Sequence, residues 1–359
     1  MHIYIYIYIH EKLNWNNNIV RTTIYMMRVG VIVGVVFVVV VVLGCLKNGE
    51  AVGVGLSDNF YEESCPEVES IVRAGVQSAS LTDPTTPAAL LRLMFHDCQV
   101  QGCDASILVN PDGVITKSSE MGSTKNFGIR KRELISLVKS AVEAVCPRRV
   151  SCADILVMAA HEAVAFSGGP RIIRLPLGRR DSINPPNAGL ADASLPHADI
   201  GLDSTLQLFA KKGMTIEESV AILGAHTLGV THCINLQSRL YSTQKSNATN
   251  QNPAFELSLK TRCPQLAGPT ASKISFMQND LTSVIFDNEY FVNLMRGRGL
   301  LNIDSDMAVD SRTRQFVEKF AEDQGAFFRA FSSAFVKLSS YGVLTGNRGV
   351  VRRSCGALD

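Results

Sequence analysis

From residue 54 onward, apolar positions recur with the period of a helix far more often than with that of a strand. Glu67 to Ser78 carries apolar residues at 68, 71, 72 and 76, with Pro66 near its start. Ala88 to Cys98 is a second helical pattern, and Pro87 suits its first turn. Arg132 to Val145 and Ala153 to Phe166 are two more, the latter stopped by Gly168-Gly169-Pro170. Residues 171–200, with prolines at 176, 185, 186 and 196, read as loop. Thr215-x-x-Glu218 is a capping box opening a helix that runs towards His226. Residues 243–253 are polar and read as loop, and further helices are expected at about 288–297, 311–322 and 325–339. No repeat or low-complexity tract interrupts this pattern. It predicts a mostly helical, all-α domain over residues 54–359.

The pattern upstream is different. Val29 to Leu46 is uncharged and almost wholly apolar, with Arg28 before it and Lys47 after it. Ala51-Val52-Gly53 then offers small residues where a signal peptidase reads them. Residues 1–53 are therefore expected to be an N-terminal extension plus a cleaved secretory signal. A membrane anchor is the competing expectation, since 18 apolar residues lie near the lower limit for a span. His2-Ile3-Tyr4-Ile5-Tyr6-Ile7-Tyr8 is unusual at the start of a signal, so Met26 or Met27 is a candidate true start. In that case Trp15, the only tryptophan, is missing from the mature protein.

The net charge of +2 gives no electrostatic case for a nucleic-acid partner. Of nine cysteines, Cys45 lies in the signal, leaving Cys65, Cys98, Cys103, Cys146, Cys152, Cys233, Cys263 and Cys355. An even number in a secreted chain implies four disulfides, whose pairing the spacing leaves open. Asn247-Ala248-Thr249 is a glycosylation sequon in a polar stretch.

The densest chemistry is Arg92-Leu93-Met94-Phe95-His96-Asp97-Cys98, followed by Gln99-Val100-Gln101-Gly102-Cys103-Asp104-Ala105-Ser106. An Arg and a His four apart on a helix share one face, which sets a cation beside a neutral base. The aspartates and serine that follow suit a hard cation such as calcium. A second histidine, His226, stands in Gly224-Ala225-His226-Thr227-Leu228-Gly229 at the end of an apolar helix. One distal and one proximal His can hold a haem between them, the proximal one ligating the iron. A zinc reading, from His96, Asp97, Cys98 and Cys103 or from His232 and Cys233, lacks zinc spacing and conflicts with a secreted, oxidised chain.

These blocks resemble those of the class III secretory plant haem peroxidases. So do Val150-Ser151-Cys152-Ala153-Asp154, Leu177-Gly178-Arg179-Arg180-Asp181 and Ile285-Phe286-Asp287-Asn288, and the resemblance runs from about Leu56 to the C-terminus. The Gln99-Val100-Gln101 variant is similar to one subgroup of that family. The resemblance implies a helical fold of distal and proximal halves with haem b between them. It implies the disulfides Cys65–Cys146, Cys98–Cys103, Cys152–Cys355 and Cys233–Cys263, which use all eight mature cysteines.

It also implies roles. His96 is the expected proton acceptor from hydrogen peroxide, and Arg92 the expected stabiliser of charge in the transition state. Asn126, six residues after Glu120, is expected to orient His96, and Phe95 to limit access to the iron. His226 is the expected axial ligand and Asp304, rather than Asp306, its hydrogen-bond partner. A first calcium site is expected at Asp97, Val100, Gly102, Asp104 and Ser106. A second is expected at Thr227, Asn279, Thr282, Ile285 and Asp287, where Asn279 replaces the family's Asp and weakens binding. Pro196 matches the proline beside the aromatic-donor site. Gln99, Gln101, Gln278, Lys131-Arg132 and Ile303 depart from the family pattern without removing a catalytic group.

The implied activity is reduction of hydrogen peroxide with one-electron oxidation of phenolic or other small aromatic donors. The implied setting is the cell wall, favoured by the short tail after Cys355, with roles in wall crosslinking and lignification, oxidative stress response and peroxide catabolism. A monomer without stable membrane association is the expected form. The alternative is a secreted haem-binding wall protein with little turnover, a reading that retention of Arg92, His96 and His226 disfavours.

Overall fold

A computed structural model describes residues 55–110, 118–241, 252–265 and 275–358. The signal segment, Cys45, the sequon at Asn247 and most of the 243–253 stretch lie outside the described residues. All described residues belong to the compact unit Gly53–Asp359.

The described elements are overwhelmingly helical. In chain order they are α1 (Val68–Thr82), α2 (Thr86–Gln99), α3 (Arg132–Val145), α4 (Cys152–Phe166), α5 (Ala188–Ser194), α6 (Leu202–Ala210) and α7 (Ile216–Leu223). There follow α8 (Gln237–Tyr241), α9 (Pro253–Arg262), α10 (Glu289–Met295), α11 (Asn302–Met307), α12 (Arg314–Glu322) and α13 (Gln324–Ser340). The one sheet among the described residues pairs β1 (Val230–His232) antiparallel with β2 (Phe276–Gln278), placing Val230 opposite Gln278. No described helix is long and apolar enough to cross a membrane.

The long periodic segments fold as the pattern predicts, and α3 matches residue for residue. The short ones depart from it. The stretch 171–200 contains α5, whose seven residues are held by a capping Asn187 that accepts from the Gly189 and Leu190 amides. Helices α6, α8, α9 and α11 also went unread, because most are too short to display a period.

Helix α4 is apolar all round and has almost no exposed surface until its last turn. Such a helix must be covered on every side, and α1, α2 and α3 pack against it. Two sequence blocks lock its first turn. Asp181 accepts from the Cys152 and Ala153 amides, and Ser151 caps the Asp154 amide. Asp154 in turn binds the Arg179 guanidinium at 2.8 Å and accepts from Tyr61 and from the Gly178 amide. Arg179 also donates to Ser339 at the end of α13 and to Pro176, so this buried pair has its hydrogen bonds supplied from three directions. Gly178 has φ 119°, and a Cβ there would lie 2.8 Å from the Phe60 ring.

The proximal half is built on aromatics. Phe286, Phe291, Phe327 and Phe331 pack with ring centroids 4.7 to 5.9 Å apart. Gly224 lies against this cluster, where a Cβ would sit 2.5 Å from Phe327. That glycine lets the His226 turn press onto the core. All four expected disulfides form. Replacing Arg179 with Met strands Asp154 without its cation, and urea unfolding of Arg179→Met should show a loss of about 3–5 kcal/mol.

Candidate active site

Leu90, Leu93 and Met94 of α2 face the core with no exposed surface, which turns Arg92 and His96 to another side. His96 Nδ1 lies 2.6 Å from Asn126 Oδ1. Asn126 ends a short 3-10 turn capped by Ser123, and its Nδ2 donates to the Glu120 carbonyl at 2.8 Å. With the amide N–H committed there, the amide oxygen must accept, so His96 carries its proton on Nδ1 and keeps Nε2 bare. Burial, reinforced by the Arg92 charge, pushes the His96 pKa down to about 3, against the pull of the Asn126 bond. His96 is therefore a neutral base at ordinary pH.

Arg92 donates to the Phe127 carbonyl at 3.0 Å and to the Lys125 carbonyl at 3.4 Å. Burial lowers its pKa to about 10, which leaves it cationic. Phe95 stands edge-on to His96 at 6.0 Å and to Phe209 at 6.4 Å.

His226 follows the capping-box helix α7 in a 3-10 turn over Gly224–Thr227. Its Nδ1 lies 3.2 Å from Asp304 Oδ1. Tyr290 donates to the same oxygen at 2.7 Å, and the Leu301 amide donates to Oδ2 at 2.8 Å. Burial alone raises the Asp304 pKa, but its contacts with His226, the Leu301 amide and Tyr290 outweigh that and hold it below the usual range. The His226 side chain is 37% exposed while Asp304 is 3% exposed, so the ring is gripped from beneath and its other edge is accessible.

Two acidic clusters complete the arrangement. Asp97 accepts from the Ala105 and Ile107 amides, and Asp104 accepts from the Ser106 amide. Ser106 hydrogen-bonds the side chains of both Asp104 and Glu120. Burial, together with Asp104 and Glu120, drives the Asp97 pKa well up. Burial, with Asp104 adding to it, raises Glu120 to about 7. Three buried acids that resist ionising together call for a cation. Gln101, Gly102 and Ala105 have φ of 67°, 102° and 60°, which bends the loop between Asp97 and Ser106 tightly.

The second cluster corrects an expectation. Asn279 does not join it: its Nδ2 donates to the Leu228 carbonyl and its Oδ1 accepts from Thr231. Asp280 takes that place, accepting from Thr227 at 2.8 Å and from Thr282 at 3.2 Å. Asp287 accepts from the same two hydroxyls. Burial raises Asp280 to about 6, with Asp287 adding to it against the bond from Thr227. The cluster therefore keeps both carboxylates, and the weakening attached to Asn279 loses its physical basis. The neighbouring Ile285 closes the turn, its amide donating to Thr282.

The peroxidase family profile matches residues 70–323. Peroxidase 29 of Arabidopsis thaliana is 56% identical over 311 residues, which cover 85% of this chain and 89% of that protein. Peroxidase 46 and Peroxidase 18 of the same plant are each 39% identical over 85% of this chain and 91% of their own lengths. The chain belongs to the peroxidase family. Within it this is a class III plant haem peroxidase, an enzyme that uses hydrogen peroxide, and the subgroup suggested by Gln99-Val100-Gln101 is the one called peroxidase 29.

Haem and calcium are the groups this family employs, and the residues fit both. His226 has one nitrogen fixed and the other edge accessible, as an axial ligand requires. The carboxylates at both acidic clusters, buried except for the half-buried Asp287, are oxygen donors of the kind calcium takes. The zinc alternative fails, because Cys98, Cys103 and Cys233 are bonded in disulfides.

Sequence reasoning missed Asp280, although it adjoins Asn279. It also missed Tyr290, which no motif marked, and what Gln99 and Lys125 do. Gln99 Nε2 donates to the Ser194 carbonyl, and Lys125 Nζ to the Asp192 and Leu195 carbonyls, fastening the segment that ends in Pro196.

The raised carboxyls make a pH test. A buried acid with a raised folded-state pKa favours the protonated form, so the calcium-free protein gains stability as pH falls through about 7 towards the ordinary carboxyl range. Thermal unfolding with and without chelator should show the largest loss of Tm above pH 7 and a shrinking loss below it.

Proposed function

We propose that the mature enzyme, residues 54–359, is secreted to the cell wall space and oxidises phenolic or other small aromatic donors at the expense of hydrogen peroxide. Each turnover takes one electron and one proton from each of two donors and converts peroxide to two waters. Wall crosslinking and lignification, response to oxidative stress and peroxide catabolism are the processes this chemistry serves. One haem b and two calcium ions are the bound groups, and the protein acts as a monomer.

Haem, when bound, supplies the iron that engages peroxide and the oxidising equivalents passed to donors. Every other role falls to side chains. His96 Nε2 takes the proton from peroxide and returns it to the departing oxygen. Arg92 offers a fixed cation to the charge that develops as the O–O bond breaks. Phe95 blocks direct access, which leaves donors the edge of the site near Pro196. His226 would hold the iron through Nε2, and Asp304 increases the basicity of that nitrogen by accepting at Nδ1. The distal calcium would be held by Asp97, Asp104 and Ser106 with the carbonyls of Val100 and Gly102. The proximal one would be held by Thr227, Asp280, Thr282, Asp287 and the Ile285 carbonyl. Asn247 carries the glycan.

The observation that carries this reading is the matched pair of Nδ1 anchors, Asn126 on His96 and Asp304 on His226. Asn126→Val frees His96 to rotate and to change tautomer. Stopped-flow mixing of the haem-loaded variant with hydrogen peroxide should give a rate about 10- to 100-fold below wild type, with haem content unchanged. An unchanged rate would contradict the role given to Asn126.

A further inference from the structure

We infer that Lys125 is a specificity-determining residue that favours aromatic donors bearing a carboxylate, an inference that rests on the donor approach proposed at Pro196. The ammonium donates to the Asp192 carbonyl at 2.5 Å and to the Leu195 carbonyl at 2.6 Å. The second of these belongs to the peptide bond that leads into Pro196. Two of the three ammonium N–H donors are thereby used, and the third is available. Carbonyl oxygens solvate a cation without neutralising it. The acid on that segment, Asp192, turns its carboxylate to the Ser123 hydroxyl, and no described carboxylate forms an ion pair with Lys125. A second cation adds to the field, since Arg92 donates to the carbonyl of Lys125 itself.

A positive charge is thus fixed at the wall of the donor approach, half-buried and without a counter-charge. A neutral phenol gains nothing from it. A hydroxycinnamate that enters phenol first presents its carboxylate at the far end, where it can accept a charge-assisted hydrogen bond from the remaining N–H. Lysine suits this role as a point charge on a flexible stem, needing no bidentate geometry. The tether also explains why the charge stays in place: Gln99 holds the Ser194 carbonyl, and Val100 packs with Ala191 and Leu195.

The test is a titration of the resting, haem-loaded enzyme with 4-hydroxycinnamate and, separately, with its methyl ester, followed by the shift of the Soret band without peroxide. Wild type should bind the carboxylate more tightly than the ester, and added salt should shrink the difference. Lys125→Met should weaken the carboxylate about threefold to tenfold and leave the ester unchanged, while Lys125→Arg should keep the preference. Equal losses for both ligands would overturn the inference and leave Lys125 as a fastener of the wall. No change for either would also overturn it. A wild type that takes up haem but binds neither ligand would instead refute the donor approach at Pro196, and this inference with it.

Discussion

Each side of the site depends on what holds the Nδ1 edge of one histidine. His96 meets a neutral amide oxygen and His226 a carboxylate. The amide orients its ring and adds no charge, so burial and Arg92 can keep His96 unprotonated. The carboxylate polarises its ring, which makes the opposite nitrogen more basic. Exchanging the two anchors would exchange the chemistry, because a charged partner would draw a proton onto the distal base and a neutral one would weaken the proximal ligand.

The remaining structure keeps those two anchors in place. Asn126 is fixed by the Glu120 carbonyl, and Glu120 belongs to the buried acid cluster with Asp97 and Asp104. The first acid cluster and His96 are therefore linked through one short loop. Asp304 is fixed by Leu301 and Tyr290, and the His226 turn rests on the phenylalanine cluster through Gly224. The second acid cluster begins at Thr227, the next residue after His226. Rigid support of this kind is what a site needs when proton transfer depends on placement within a fraction of an ångström.

Much of this was legible in the chain because local spacing encodes it. Arg92 and His96 share a helix face, and the segment that carries Asp97, Asp104 and Ser106 follows at once in sequence. The pairing of His96 with Asn126, of His226 with Asp304, and of the cysteines came from family resemblance, since they join distant segments. The Asp280 substitution could not be read from spacing. Register alone placed Asn279 in the ring, and only the folded turn shows its amide committed to Leu228 and Thr231. Helix α5 was hidden for a different reason: its order comes from a cap and from side-chain tethers that other segments supply. The blocks around Asp154 and Arg179, which the resemblance marked without a role, serve the fold by holding the first turn of α4 with a buried ion pair.

The measurement that bears most directly on the central claim is the pH profile of the rate at which the resting haem enzyme reacts with hydrogen peroxide. A His96 kept neutral by burial and by an uncharged anchor predicts a rate that is flat through the ordinary histidine range, with an apparent pKa near the value of about 3 set by its surroundings. A rate that instead falls with an apparent pKa of about 6.5, that of an unperturbed histidine, would contradict the account.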